Sequence, residues 1–282
     1  MADVLTALEQ TPPESSLRAL QQFPPATSGS LEVRFARDSD EIAAAQALRF
    51  RVFYEEMQAN PDVIAQMTRR DTDPFDDICD HLLVVNHDLP PAEAVVGTYR
   101  LLRQDVANRY GGFYSAAEYD LAPLSGGSWR VQGFLELGRS CVHPAYRTNA
   151  TIQLLWRGIT RYLDVHGIEV MFGCASFKGT RPEEHQVALS YLHGNHLAPA
   201  HCQVRAQPDR FIAMDMIPAE TYSRREALRE LPPLIKAYLR LGAFVGDGAV
   251  VDNVFGTTDV FILLPVDRIA ERYFNRFDRR TH

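Results

Sequence analysis

The sequence lacks the features of several large protein classes. Its 282 residues contain no apolar run that approaches the ~20 residues a membrane-spanning helix needs. The first residues have neither the basic region nor the apolar core of a secretory signal peptide. The net charge of −7 argues against a nucleic-acid partner, because proteins that bind nucleic acid carry a basic surface. We therefore predict a cytoplasmic protein with no nucleic-acid partner.

Cysteine is also scarce. The chain has four cysteines, none at a paired or metal-binding spacing and each in or beside an apolar stretch: Cys79, Cys141, Cys174 and Cys202. This pattern favours buried, reduced thiols over a disulfide framework. Residues 73–80 are rich in aspartate, but no histidine or cysteine joins them at a metal-ligand spacing, so we predict no metal site.

What is present indicates one α/β domain with a central mixed sheet. Proline pairs and serines predict a mobile arm over residues 1–30, followed by a single domain over 31–282 with an insertion at about 180–231. Period-2 and helical apolar patterns predict strands at 31–36, 81–86, 94–102, 168–177 and 258–264, and another that ends at Pro144. They predict helices at 40–57, 151–166, 181–195 and 233–241.

Glu136 and Arg139 are the most informative pair, because both charges lie in an otherwise apolar strand. Burying either charge is costly unless it is paired or used. A regular strand would place them on opposite faces, but Gly138 lies between them and glycine often marks a bulge. We predict a bulge at or beside Gly138 that brings both side chains to one cavity. Glu136 would take a proton from an attacking amine, although a structural ion pair is the alternative.

Other charged residues allow two interpretations each. Arg100 lies among apolar neighbours and needs an anion, either a side chain or a substrate. The aspartates of residues 73–80 could bind a cationic amine or form a solvated loop. The helix that begins near Thr151 could hold a phosphate. Arg147, Arg157 and Arg161 add positive charge near it, which could dock an acidic carrier protein or form a solvated face. Residues 268–277 have a basic amphipathic pattern that suits a membrane surface, an acidic carrier protein or plain packing.

In chain order, these residues resemble the acyl-homoserine-lactone synthase branch of the GNAT-like acyltransferases. Arg49 and Phe53 match the family's arginine and phenylalanine four apart, and Asp73 and Asp76 match its D-x-aromatic-D motif. Residues 97–102 match G-x-aromatic-R-L-L, and Glu136 and Arg139 match E-L-x-R. The family's tryptophan is absent near Gln58. The resemblance implies a GNAT-like sheet with a splayed, bulged strand, flanked by helices.

A wider resemblance, to bacterial L-ornithine N-alpha-acyltransferases, covers residues 33–277 and is carried by segments 172–177, 189–193, 231–243 and 257–261. It implies transfer of a 3-hydroxyacyl chain from acyl carrier protein to the α-amine of L-ornithine. No cofactor is implied, because the carrier bears the phosphopantetheine. Residues 148–151 lack the Gly-rich loop that coenzyme-A-dependent members use for a pyrophosphate, which fits a carrier-protein donor.

Together the residues and the resemblance give a predicted site. Its catalytic residues are Glu136 and Arg139. Its substrate-binding residues are Arg49, Phe53, Asp73, Asp76, Asp80, Arg100 and Ser176, and its donor-binding residues are Cys141, Val142, Arg147 and Thr151. The alternatives are a homoserine-lactone or other N-acyl amino acid synthase, and a catalytically idle carrier-binding or lipid-binding module. Peripheral contact with the inner membrane is a further expectation.

Overall fold

The computed structural model describes residues 25–125, 131 and 133–269, and the strands in this part of the chain form one mixed sheet. The strands are β1 (Ala26–Ser28), β2 (Leu31–Phe35), β3 (Asp80–Asn86), β4 (Val95–Arg103), β5 (Tyr119–Asp120), β6 (Phe134–Val142), β7 (Val170–Lys178), β8 (Arg205–Ala206), β9 (Phe244–Asp252) and β10 (Thr257–Pro265). Their order is β1-β2-β3-β4-β6-β7-β10-β9-β8-β5. The β6–β7 and β8–β9 pairs are parallel, and the others are antiparallel.

The helices of the described chain pack on this sheet. They are α1 (Ser39–Phe50), α2 (Val63–Thr68), α3 (Asn149–His166), α4 (Gln186–His196), α5 (Arg224–Glu230) and α6 (Pro233–Leu241). A π-helix, Arg51–Glu56, continues α1 directly. Single turns lie at Pro74–Asp77, Pro91–Glu93, Gln104–Ala107, Tyr114–Ala117, Ala122–Ser125, Pro144–Tyr146, Pro182–His185, Ala219–Thr221 and Val266–Arg268. None of these helices has the length and apolar character to cross a membrane.

Several predicted boundaries follow from capping chemistry and agree with the structure. The side chain of Asp38 accepts a hydrogen bond from the Glu41 amide and begins α1. Gly242 adopts a left-handed φ of 98° and ends α6. The predicted arm is too long at its end, because Ala26–Ser28 pairs with β2. The predicted insertion at 180–231 contains α4, β8 and α5, and the prediction for residues 268–277 falls largely outside the described residues.

The sheet splits between its two central strands. β6 and β7 pair through only three residues each, Phe134–Glu136 with 170–172. Beyond that point β6 continues on β4 and β7 continues on β10. The facing edges of β6 and β7 therefore have no strand between them, and a cavity forms there.

The predicted bulge is confirmed, and it lies one residue beyond Gly138. Thr98 pairs with Cys141 and Arg100 with Gly138, so Tyr99 of β4 faces both Arg139 and Ser140. Arg139, not the glycine, has the left-handed backbone, with φ 49°. That conformation costs a non-glycine residue roughly 1–2 kcal/mol, so surrounding contacts must hold it.

Candidate active site

A central cavity of about 250 Å³ occupies the split in the sheet. Residues of β6, β7 and β10 and of the turn Tyr114–Ala117 line it. A narrower space of about 40 Å³ continues between the separated strands toward Tyr238. On the other side an outer cleft of about 1210 Å³ shares Tyr114 and Arg139 with the cavity. An extended ligand could thus pass from the cleft into the sheet.

The structure brings part of the predicted site to the central cavity. The predicted residues that line it are Phe53, Arg100, Glu136, Arg139 and Ser176. Asp73 lines the outer cleft. The predicted residues that line neither space are Arg49, Asp76, Asp80, Cys141, Val142, Arg147 and Thr151.

Glu136 lies where β6 and β7 part, and its carboxylate is firmly held. Oε1 accepts hydrogen bonds of 2.7 Å from the Ser115 amide and 2.5 Å from the Ser115 hydroxyl. Oε2 accepts a 2.7 Å bond from the Tyr114 amide. Burial raises the pKa of Glu136 and outweighs these hydrogen bonds, which lower it. Glu136 is therefore a fixed carboxylate with a raised affinity for a proton, as a general base requires.

Arg139 does not pair with Glu136 among the described ion pairs. Its Nε lies 3.1 Å from Asp71 Oδ2, and its Nη2 lies 2.9 Å from Asp73 Oδ2. The guanidinium carbon lies 4.9 Å from the ring centre of Tyr114 and 4.8 Å from that of Phe255. These ion pairs and ring contacts hold the strained backbone of the bulge.

The matched arginines and aspartates form a buried network. Arg49 makes a bidentate pair with Asp76, both bonds 2.8 Å long, and Arg100 Nη1 reaches Asp73 Oδ1 at 2.6 Å. Burial opposes ionisation of Asp76, but the hydrogen bond from Arg49 and the nearby charges hold its pKa well below the usual range. Asp73 and Asp76 also form a capping box at the turn Pro74–Asp77. Their carboxylates thus bind arginines of the chain itself.

The other predicted residues make contacts away from the cavity. The carboxylate of Asp80 accepts hydrogen bonds from Arg103 and Tyr162. Arg147 makes a bidentate pair with Glu56 at 2.6 Å. Thr151 is fully buried, and its amide donates to the hydroxyl of Thr148, which caps α3. The predicted docking arginines Arg157 and Arg161 lie roughly 12 and 18 Å along α3 from its first residue.

Three carboxylic acids in the cavity were not predicted: Glu118, Asp252 and Asp259. One oxygen from each lies within 4.8 Å of the others. Burial raises the pKa of Glu118 to about 7 and that of Asp259 to about 6, and neighbouring acids add to both shifts. The argument that singled out Glu136 applies to Asp259 as well, since it is an acid inside the apolar strand 257–265. No local signal marks Glu118, which reaches the site from a turn.

Cys174 lines the same cavity, and its chemistry limits its role. Its Sγ donates to Glu118 Oε2 at 3.5 Å. Burial and the nearby carboxylates raise the pKa of this thiol well above its usual value. A thiol that stays protonated is a poor nucleophile, so an acyl-cysteine intermediate is disfavoured.

Comparisons with known proteins now give the family. The acetyltransferase (GNAT) domain family matches residues 48–157. The chain is 53% identical to the L-ornithine N(alpha)-acyltransferase of Brucella abortus over 88% of this chain and 89% of that one. It is 53% identical to the Rhizobium meliloti protein of the same name over 88% and 84%. This chain belongs to the L-ornithine N(alpha)-acyltransferase family.

Membership of the L-ornithine N(alpha)-acyltransferase family confirms the GNAT-like fold and makes the protein an N-acyltransferase. A solved N-acyl amino acid synthase from uncultured soil microbes is 14% identical over 86% of this chain and 92% of that one, with a TM-score of 0.46.

Proposed function

We propose that this protein transfers a 3-hydroxyacyl chain from the thioester of acyl carrier protein to the α-amine of L-ornithine. The observation that carries the proposal is the identity of 45–53% over most of the chain to four proteins named L-ornithine N(alpha)-acyltransferase. The cavity supports an acceptor of this kind, because four carboxylic acids line it against two arginines that are already paired. Such a cavity favours a cationic amino acid over a neutral one.

The chemistry is direct transfer to a neutral amine. The nitrogen attacks the thioester carbon, the new C–N bond forms, and the C–S bond breaks. Glu136 takes the proton that the nitrogen loses, and the departing sulfur takes up a proton to leave as the carrier thiol. Backbone N–H groups where β6 and β7 part would polarise the thioester carbonyl.

The other predicted residues near the cavity would position the acceptor or hold the groups that do so. Arg100 and Arg139 supply the positive charge on the cavity wall and position the acceptor carboxylate. Phe53 and Ser176 line the cavity and shape the space for the acceptor. Arg49, Asp73 and Asp76 hold those arginines in place through the buried network. Asp80, which pairs with Arg103, would act only through the strand it begins.

For the donor, we propose acyl carrier protein and no separate cofactor, since the acyl arm brings its own phosphopantetheine. Cys141 and Val142 close β6, Arg147 precedes α3 and Thr151 lies in its first turn, and we propose these four as the donor-binding residues. We further propose that the protein acts in the cytoplasm, where its four free cysteines stay reduced. Peripheral contact with the inner membrane is part of this proposal, and vesicle sedimentation tests it.

The test is product analysis with purified protein. The protein is incubated with 3-hydroxyacyl carrier protein and either L-ornithine or S-adenosylmethionine, and products are identified by mass spectrometry. We expect N-acyl-ornithine and release of one carrier thiol for each amide formed. Product from S-adenosylmethionine alone would favour a lactone synthase. Absence of thiol release with any acceptor would favour an idle binding module.

A further inference from the structure

The acids Glu118, Asp252 and Asp259 form a group in the central cavity that takes no part in the proton transfer and bond changes proposed above. We call them the acid trio. Glu118 follows the turn Tyr114–Ala117, Asp252 ends β9, and Asp259 lies within β10 opposite Ser176. Three separate segments of the chain thus bring carboxylates to one point.

The acid trio contains a buried oxygen that no donor among the described residues satisfies. Asp259 is 7% exposed, and its Oδ1 is buried with no hydrogen-bond partner in the described residues. Burial raises the pKa of Asp259 and the nearby hydroxyls of Thr257 and Ser176 lower it, but within the described residues no donor completes a hydrogen bond to Oδ1. A buried polar atom without a partner typically costs ~1–3 kcal/mol, so such atoms point to a ligand that supplies the missing donors.

The donors already near the acid trio leave Asp259 Oδ1 without a hydrogen bond. Arg210 Nη1 lies 3.5 Å from Glu118 Oε1, at the side of the trio that faces the outer cleft. The Oδ1 atom of Asp252 accepts from the amides of Val254 and Phe255 in the turn after β9. Neither contact reaches Asp259 Oδ1.

We propose that the acid trio binds the side-chain ammonium group of the acceptor amino acid. This inference rests on the proposed function, and it assigns the part of the cavity that selects a diamino acid. An alkylammonium has three N–H donors, and the trio offers one oxygen from each of three acids around a single point. With the side-chain ammonium held there, the α-amine is free to face Glu136 and the split between β6 and β7.

A divalent cation is the competing ligand, and the contacts favour the ammonium. Ca²⁺ takes six to eight oxygen ligands and Mg²⁺ six. The trio supplies three carboxylates, of which Asp252 and Glu118 are partly engaged by the turn amides, Arg210 and Cys174. An alkylammonium group, with three N–H donors and one positive charge, fits the remaining free carboxylate oxygens better than an octahedral metal ion does.

The test compares two acceptors and three proteins. L-Norvaline has the carbon chain of L-ornithine without the side-chain amine. For the wild type we expect kcat/KM to favour L-ornithine over L-norvaline strongly. Asp259→Asn should raise the KM for L-ornithine by about 10- to 100-fold, since hydrogen bonds to charged groups have this strength, and leave L-norvaline kinetics nearly unchanged. Asp88→Asn removes the same charge at an exposed position in the turn between β3 and β4, which lines neither the cavity nor the outer cleft, and should behave as wild type.

Each outcome decides a different point. Equal loss of kcat with both acceptors in Asp259→Asn would overturn the inference, because the acid trio would then serve the reacting amine or the fold. Stoichiometric binding of Ca²⁺ or Mg²⁺ in calorimetry, lost in Asp259→Asn, would overturn it in favour of a metal site. If the wild type acylates neither amino acid, the proposed function itself fails. Glu118→Gln is the second variant, should Asp259→Asn not fold.

Discussion

At the scale of single residues, the carboxylate of Glu136 is held by donors from one short turn. The amides of Tyr114 and Ser115 fix both of its oxygens. Glu136→Gln keeps the shape of the side chain and removes its ability to take a proton. We expect acyl transfer to fall by ~10²–10⁴, the usual contribution of a general base. Thermal unfolding should still be cooperative, and wild-type turnover in this variant would exclude Glu136 as the base.

Glu118 allows a prediction about pH and stability. Its pKa is about 7 in the folded protein against an ordinary 4.5, chiefly because it is buried, with Asp252 and Asp259 adding to the rise. Between these values the folded chain binds more protons than the unfolded chain, so this group's contribution to stability is lost as pH rises from about 4.5 to 7.

Glu118→Gln should therefore gain stability relative to wild type, by roughly 2–3 kcal/mol, between pH 5 and pH 8. Urea denaturation of the ligand-free proteins at both pH values measures this difference. A stability difference that is the same at both pH values would contradict the shift.

The site shows which residue roles a sequence can indicate. Glu136 and Arg139 were predicted to reach one cavity, and both line it. A direct ion pair between them was the alternative prediction. In the structure Glu136 instead accepts from Ser115, and Arg139 pairs with Asp71. Arg139 binds Asp71, which lies 68 positions away and carries no motif of its own. Long-range partners of this kind depend on how strands and turns pack, which local spacing does not encode.

At the scale of elements, the split in the sheet depends on a close approach at Gly173 of β7. A Cβ atom at this position would lie 2.3 Å from the backbone oxygen of Leu137 in β6. Gly173→Ala must therefore push the two strands apart near the point where they part. We expect a lower melting temperature and a raised KM for the acyl donor.

Gly194→Ala is the matched control, because a Cβ atom there meets nothing within 4 Å. Position 194 lies inside α4, where alanine is favoured over glycine by about 0.5–1 kcal/mol. The control should be slightly more stable than wild type, with unchanged kinetics. Equal effects of the two substitutions would show that the approach at Gly173 does not matter.

Elements with strong periodicity and caps were predicted well. The helix from Pro233 to Leu241 has its predicted bounds, since proline begins it and Gly242 ends it. The helix predicted to run to residue 57 instead becomes a π-helix after Phe50. Apolar spacing does not distinguish these two windings over one or two turns. Short pieces such as β8 depend on pairing with β9 and have no periodic signal.

At the scale of the whole molecule, an acidic enzyme must meet an acidic carrier protein. The net charge is −7, so docking requires a local basic surface. Arg147 pairs with Glu56, and the test uses the other two arginines of the predicted patch, Arg157 and Arg161 of α3. Reversing both to glutamate should slow reaction with acyl carrier protein, and more so at low salt, because screening is then weak.

Reaction with a short soluble thioester should be nearly unaffected by that double variant. Arg224→Glu with Arg225→Glu makes the same charge change on the exposed side of α5 and serves as the control. If both double variants slow the carrier reaction alike, total charge and not this helix governs encounter. If rates with the carrier ignore ionic strength, docking occurs elsewhere on the molecule.

The three-residue ladder between β6 and β7 also bears on how much of the protein survives in a cell. A donor that lies between the open strand edges binds the folded chain and not the unfolded one. At 100 times its Kd, such a ligand stabilises the fold by about 2.7 kcal/mol. Protein turnover follows the unfolded fraction, so the abundance of this enzyme should rise with the supply of acylated carrier. Proteolysis of the purified protein, with and without saturating donor, measures that protection directly.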